Sequence, residues 1–188
     1  MNPDYHGQLL ARADAFLEAL RHRHPGQMAC REGCSACCRV HLTLFPLEAD
    51  RVARAVAALP APMRRLLAER ASLPEAHPSC PLLVEDRCAI YEDRPLICRT
   101  HGAPLRILEE DGPRTDVCPL NFADHPGPLP EDSLLDLDRL NEILVAVNVY
   151  ECRRQGRDPG ARSSMARIIA SALGLPGDGR PSEVEEVS

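Results

Sequence analysis

The sequence predicts a mainly α fold with small β-hairpins, an α+β class, closed into a compact, cysteine-rich, metal-stabilised single domain. Three observations carry this expectation. Apolar residues recur at helical spacing in several stretches, short alternating runs bounded by turn residues lie between them, and eight of the nine cysteines gather between residues 30 and 118. The 188-residue length suits one domain with a real core. Aromatics are scarce (three Phe, three Tyr, no Trp), and eighteen Pro and eleven Gly interrupt the chain, so apolar burial per residue falls below average. Metal crosslinks would offset that shortfall.

Taken in order, residues 6–24 read as an amphipathic helix. Leu9, Ala13, Phe16, Leu17 and Leu20 form one stripe, with Arg12, Asp14, Glu18 and Arg21 away from it, and Pro25-Gly26 ends the element. His22 and His24 in its last turn suit the helix dipole. Val40 to Leu44 alternates like a strand, placing His41 on it. Pro46 then opens a helix with Leu47, Val52, Val56 and Leu59 inward, and residues 62–72 form a second short helix. A loop with Pro74, His77 and Pro78 leads to a hairpin, Leu82 to Val84 turning at Glu85-Asp86, which returns Cys88 beside Cys80. A second hairpin runs from Leu105 to Leu108, turns through Asp111-Gly112-Pro113 and returns over Thr115 to Val117, carrying Cys118 back toward Cys98. After a Pro-rich linker at 125–130, Ser133 to about Arg154 is the strongest helix, capped by Asp132 or Ser133, with Leu134, Leu137, Leu140, Ile143 or Leu144, Val147 and Tyr150 on its apolar face. Residues 163–173 form a last helix stopped by Gly174, and a disordered tail is expected from Pro176. The expected organisation is therefore an N-terminal helix (1–29), a cysteine-cluster core (30–122), C-terminal helices packing on it (123–175) and a tail (176–188).

The most specific signal is the cysteine spacing. Cys30, Cys34, Cys37 and Cys38 put four thiols into nine residues, and Cys80, Cys88, Cys98 and Cys118 follow. Thiolates are soft ligands for zinc, iron-sulfur clusters or copper(I), and short spacings let one loop wrap an ion or cluster. Vicinal Cys37 and Cys38 rarely direct both sulfurs to one tetrahedral ion, which suggests a second metal, a bridging position or redox chemistry. Cys152 falls within the late helix, where a buried inert thiol is the default. The remaining eight satisfy two four-thiolate sites, or one such site with spares. His101, at Cys98-x-x-His spacing, could replace one sulfur. Arg31, Arg39, Arg87 and Arg99 abut cysteines directly, and cationic neighbours favour thiolate over thiol.

Composition excludes several function classes. All 22 positive charges are Arg, so neither a Walker A phosphate loop nor a Schiff-base lysine exists here. A net charge of −6 without a basic run argues against nucleic acid or an anionic membrane surface as partner. Charged residues at Asp4, His6, Arg12 and Asp14 argue against a secretory signal, and no apolar run approaches a transmembrane length. Cysteine richness without a route to an oxidising compartment indicates metal or redox use, and a cytoplasmic protein.

The ordered pattern Cys30-x3-Cys34-x2-Cys37-Cys38, Cys80-Pro81, Cys88-Ala89-Ile90-Tyr91-Glu92-Asp93-Arg94-Pro95-Leu96-Ile97-Cys98-Arg99 and Cys118 resembles the YkgJ-type cysteine-cluster family, described as a zinc- or iron-chelating domain. The resemblance spans about residues 30–122. It implies a metal-chelating domain in a bacterial cytoplasm whose ligands are these eight cysteines. The Cys30-x3-Cys34-x2-Cys37 spacing is also similar to the [4Fe-4S] triplet of radical S-adenosylmethionine enzymes, and flagellin lysine N-methylases resemble the same family. This gives an alternative, an iron-sulfur protein acting in protein modification or electron transfer. The βα series of the usual radical enzyme is absent from the pattern, as are a His-Glu-x-x-His hydrolytic zinc motif and a thioredoxin-like context for Cys34-x-x-Cys37. The sequence names no catalytic residue, and a further class, an interaction module presenting the late helix, has no motif of its own.

Overall fold

The computed structural model describes residues 3–73 and 79–175. In chain order these form α1 (Tyr5–Arg23), β1 (Thr43–Leu44), α2 (Pro46–Ala58), α3 (Ala61–Ala71), β2 (Leu83–Val84), β3 (Arg87–Cys88), α4 (Leu96–Thr100), β4 (Leu105–Glu109), β5 (Gly112–Asp116), β6 (Leu135–Asp136), α5 (Leu137–Arg154), β7 (Ser163–Ser164) and α6 (Met165–Ala172). Helices dominate and the strands are short, which is the expected class. The loop of Pro74, His77 and Pro78 and the tail from Pro176 lie outside the described residues. The chain divides into two compact units, each woven from two separate stretches: Met1–Cys34 with Arg94–Pro159, and Ser35–Asp93 with Gly160–Ser188.

In the first unit α1 packs on α4 and α5. Its buried stripe is Leu9, Leu10, Ala13, Leu17 and Leu20, joined by His6, and Asp4 caps its start by accepting from the Gly7 N–H at 2.8 Å. α5 begins four residues later than Ser133. Leu135 and Asp136 are instead drawn into parallel pairing with Leu105 and Arg106 of β4, so the cap is Asp136, whose Oδ1 accepts from the Arg139 N–H at 2.9 Å. Its buried stripe keeps the expected Leu140 and Leu144 and continues through Asn148 and Cys152, whereas Tyr150, expected on the apolar face, is exposed. Asn148 belongs inside because its Nδ2 donates to the Pro159 carbonyl at 2.8 Å, a satisfied polar group the apolar pattern overlooks. The hairpin turn falls at Glu110-Asp111, one position early, because Glu109 pairs with Gly112. Pro113 therefore lies within β5, on the edge of a sheet ordered β5-β4-β6, where its missing N–H costs no ladder bond.

In the second unit α6 packs against α2 and α3. The core comprises Leu44, Val52, Val56, Leu67, Leu82, Ile90, Met165, Ile168 and Ile169. Burying one such aliphatic side chain contributes about 1.5–3 kcal/mol, so this cluster supplies the unit's main cohesion. The strand expected over Val40 to Leu44 shrinks to Thr43 and Leu44, paired with Ser164 and Ser163 of β7. That pairing sets the entry of α6, where Ser164 Oγ accepts from the Arg167 N–H at 3.4 Å. The β2–β3 hairpin forms as expected, and its turn residues Glu85 (φ 49°) and Asp86 (φ 59°) both occupy the left-handed region. Two-residue hairpin loops of this kind match the strand twist but usually use Asn-Gly, so the Glu-Asp pair bears local strain. The Asp86 carboxylate offsets part of it by accepting from Ser35 Oγ at 2.8 Å.

Candidate metal centre

Eight of the nine cysteines are half-buried and only Cys152 is fully buried. The division of the chain sorts the eight evenly. Cys30, Cys34, Cys98 and Cys118 belong to the first unit, and Cys37, Cys38, Cys80 and Cys88 to the second. Cys152 hydrogen-bonds the Asn148 side-chain oxygen at 3.5 Å inside α5, the core role expected of it.

In the first unit, Cys30 follows α1 on a loop that turns back at once. The Cys34 N–H donates to the Arg31 carbonyl at 3.0 Å, and Gly33 at φ 90° supplies the left-handed residue this turn requires. Cys98 lies on α4, and the β4–β5 hairpin then carries Cys118 back, since Leu105 and Asp116 are paired at its open end. One residue joins these segments. Asn121, at 2 % exposure, accepts through Oδ1 from the Ala29 N–H at 2.8 Å and the Cys30 N–H at 3.3 Å. Its Nδ2 donates to the Gly102 carbonyl at 2.5 Å and to Cys30 Sγ at 3.1 Å. With two N–H donors at one end and a carbonyl at the other, the amide has a single satisfactory orientation. Asn121 is in turn held to Cys118, whose carbonyl accepts from its backbone N–H at 2.8 Å. The fit at Cys30 is close: a Cβ at Gly102 would collide with Cys30 Sγ and stand 3.0 Å from Asn121 Nδ2.

Phe122 completes this anchor. Its N–H donates to the Gln27 carbonyl at 2.7 Å, its backbone sits at φ 56°, and its ring meets those of His24 (5.3 Å) and His125 (6.0 Å) edge to face. A non-glycine residue in this region is strained and persists only where its surroundings hold it, which places stored strain beside the Cys30 loop. Neither Asn121 nor Phe122 was singled out by the sequence reading. The available signal was a polar-aromatic pair three residues past the last clustered cysteine, in a chain with three Phe in all.

In the second unit, Cys37 and Cys38 occupy a 3-10 turn at Ala36–Cys38, closed by the Cys38 N–H on the Ser35 carbonyl at 2.9 Å. The Cys80 N–H donates to the Cys38 carbonyl at 2.8 Å. The Cys80 carbonyl accepts from Leu83 at 3.0 Å, and Leu83 pairs with Cys88 across the hairpin. Burial pushes the Cys80 thiol above its ordinary range and the adjacent Cys88 adds to the push, opposed by the Leu82 and Leu83 N–H groups and the Arg70 guanidinium.

The flanking arginines divide. Arg31, Arg39 and Arg87 are exposed, whereas Arg99 is buried, donating to Asp14 Oδ2 at 2.6 Å and to the Arg94 carbonyl at 2.9 Å. Its charge is therefore met by a carboxylate of α1. Among the histidines, His101 is exposed at the end of α4 and His41 is exposed ahead of β1. His22 pairs with Glu18 at 3.1 Å, and His24 shares a 2.9 Å hydrogen bond with the buried Ser133 hydroxyl.

Among the described residues, no group of three or more His, Cys, Asp or Glu side chains is arranged as it stands to hold a metal ion. The donor set nevertheless fits one. Its thiols are soft, half-buried and sorted in fours, and Asn121 directs an amide N–H at Cys30 sulfur, the kind of outer hydrogen bond that orients and tunes a thiolate ligand.

A family model described as "CxxCxxCC: Putative zinc- or iron-chelating domain" matches residues 29–119. Neither the curated proteins nor the solved structures contain a significant match to the chain.

Proposed function

We propose that this protein binds zinc or iron through Cys30, Cys34, Cys37, Cys38, Cys80, Cys88, Cys98 and Cys118, and that the metal organises its fold, in line with the match of residues 29–119 to the CxxCxxCC family model. The observation that carries the reading is Asn121, a buried amide that fixes Cys30 sulfur and its peptide while tying together the segments that bear Cys98 and Cys118. Bound metal would crosslink the short hairpins and the loop after α1, elements that bury little on their own. His101 is a reserve ligand one helical turn from Cys98. The setting we infer is a reducing cytoplasm, where free thiols persist; no helix among the described residues is long and apolar enough to cross a membrane.

Metal and acid-labile sulfide per chain, measured on anaerobically purified protein, test this reading. Near-stoichiometric zinc or iron is expected, and protein with neither metal would overturn it. Iron together with sulfide would identify the metal as an iron-sulfur cluster, in line with the Cys30, Cys34 and Cys37 spacing; zinc without sulfide would identify a closed thiolate site.

A further inference from the structure

We infer that the eight thiols form two separate four-thiolate sites with no shared ligand: Cys30, Cys34, Cys98 and Cys118 in the first unit, and Cys37, Cys38, Cys80 and Cys88 in the second. The inference rests on the chelation reading and adds the number of sites and the ligands of each. Its first support is the partition of the chain. The two units divide between Cys34 and Ser35 and again at Arg94, so the nine-residue cysteine stretch gives its first two thiols to one unit and its last two to the other. Each unit gains its remaining pair of clustered thiols from later segments, and the first unit also holds Cys152, buried within α5. Four thiolates close a tetrahedral zinc or iron site; any uneven split leaves one site open.

The second support is the bonding within each set. Asn121 binds the Cys30 loop, the carbonyl of Gly102 just past the Cys98 helix, and the turn begun by Cys118. The other set has its own framework: the Cys38 carbonyl accepts from the Cys80 N–H at 2.8 Å, the Cys80 carbonyl accepts from the Leu83 N–H, and Leu83 pairs with Cys88 across the hairpin. The partition places both members of the adjacent pair Cys37 and Cys38 in one set, against the usual divergence of vicinal side chains. Ser35, the residue after Cys34, donates to Asp86 Oδ1 at the hairpin tip within the second unit.

The test uses the full-length, metal-free, reduced chain and cadmium as the probe. Titration with Cd2+ is expected to raise the thiolate-to-cadmium charge-transfer absorbance linearly until two equivalents are bound. The 113Cd NMR spectrum should then show two resonances without cadmium–cadmium coupling. Cys118→Ser and Cys88→Ser should each halve the capacity and each remove a different resonance. A break at one equivalent, or a coupled pair of resonances from bridging thiolates, would overturn the two-site assignment while leaving chelation standing. Absence of any cadmium-thiolate absorbance would overturn both. The wild-type titration and spectrum decide the matter even if a variant fails to fold.

Discussion

Replacing Asn121 with Leu keeps the branched four-heavy-atom side-chain shape and removes four hydrogen bonds at once. The Ala29 N–H loses its 2.8 Å acceptor, the Gly102 carbonyl its 2.5 Å donor, and Cys30 both its backbone and its sulfur contacts. An orphaned buried polar group costs about 1–3 kcal/mol. Ala29 and Gly102 are half-buried, so water meets part of that loss, and we expect a total of about 2–4 kcal/mol at the lower end of the range for two such groups. For a chain of this length that corresponds to a fall in Tm on the order of 10 °C. The assay is urea and thermal unfolding of the metal-loaded variant beside wild type, with metal content measured on the same samples. Asn121→Asp separates hydrogen bonding from packing. It retains the acceptors for Ala29 and Cys30 but turns a negative oxygen toward the Gly102 carbonyl and the Cys30 sulfur, so its deficit should shrink as acid protonates it. An Asn121→Leu variant within ~0.5 kcal/mol of wild type and carrying the full metal complement would refute the argument that this amide organises the site.

Gly102→Ala should place a methyl against Cys30 Sγ and Asn121 Nδ2, costing about 1–3 kcal/mol by overpacking and lowering the metal bound in the first unit, as elemental analysis would read. Asp136→Ala should lose the cap of α5 and about 1 kcal/mol by denaturant unfolding, whereas Asp136→Asn keeps the cap and loses less. The Arg139 N–H, and then Arg106, hold the Asp136 carboxyl below its usual range, so its stabilisation is present above the unfolded carboxylate value and disappears as pH falls through the depressed one; acid melts of wild type and Asp136→Asn should converge. In metal-free protein Cys80 holds its proton more tightly when folded than its ordinary value of 9.0 allows. Its contribution to stability is therefore full below about pH 9 and is lost as pH rises through the raised value, while metal uptake displaces that proton and so weakens as pH falls. Proton release on zinc binding, followed by calorimetry in buffers of different ionisation enthalpy, checks the second half.

The helices were legible in the sequence wherever one side of the element carries the burial. Leu9 through Leu20 set α1, Pro46 fixes the start of α2, and Gly174 at φ 66° follows the end of α6. Both hairpins could be read because alternation and turn residues are local signals. What escaped is pairing between distant two-residue strands. Thr43 with Ser164, and Leu105 with Leu135, leave no periodicity to read, yet the second of these moves the start of α5 from Ser133 to Leu137. The inward position of Asn148 escaped for another reason: it is polar by type but satisfied inside, so an apolar count finds Leu140 and Leu144 and passes over Asn148. At the candidate site, spacing identified the eight clustered thiols and set Cys152 apart. It could not divide them, because the dividing line depends on where the chain passes between units, between Cys34 and Ser35. Asn121 was hidden because its role depends on partners 19 and more residues away.

The most direct test of metal as the organiser of this fold is thermal unfolding of the purified protein as isolated, after chelator stripping under reducing conditions, and after metal is returned. A ligand that binds only the folded state raises stability by mass action, and a structural metal does so strongly. The account predicts a cooperative transition as isolated, its loss or a large fall in midpoint after stripping, and recovery when the zinc or iron found in the native protein is restored. Superimposable melting curves for the loaded and stripped forms would contradict it.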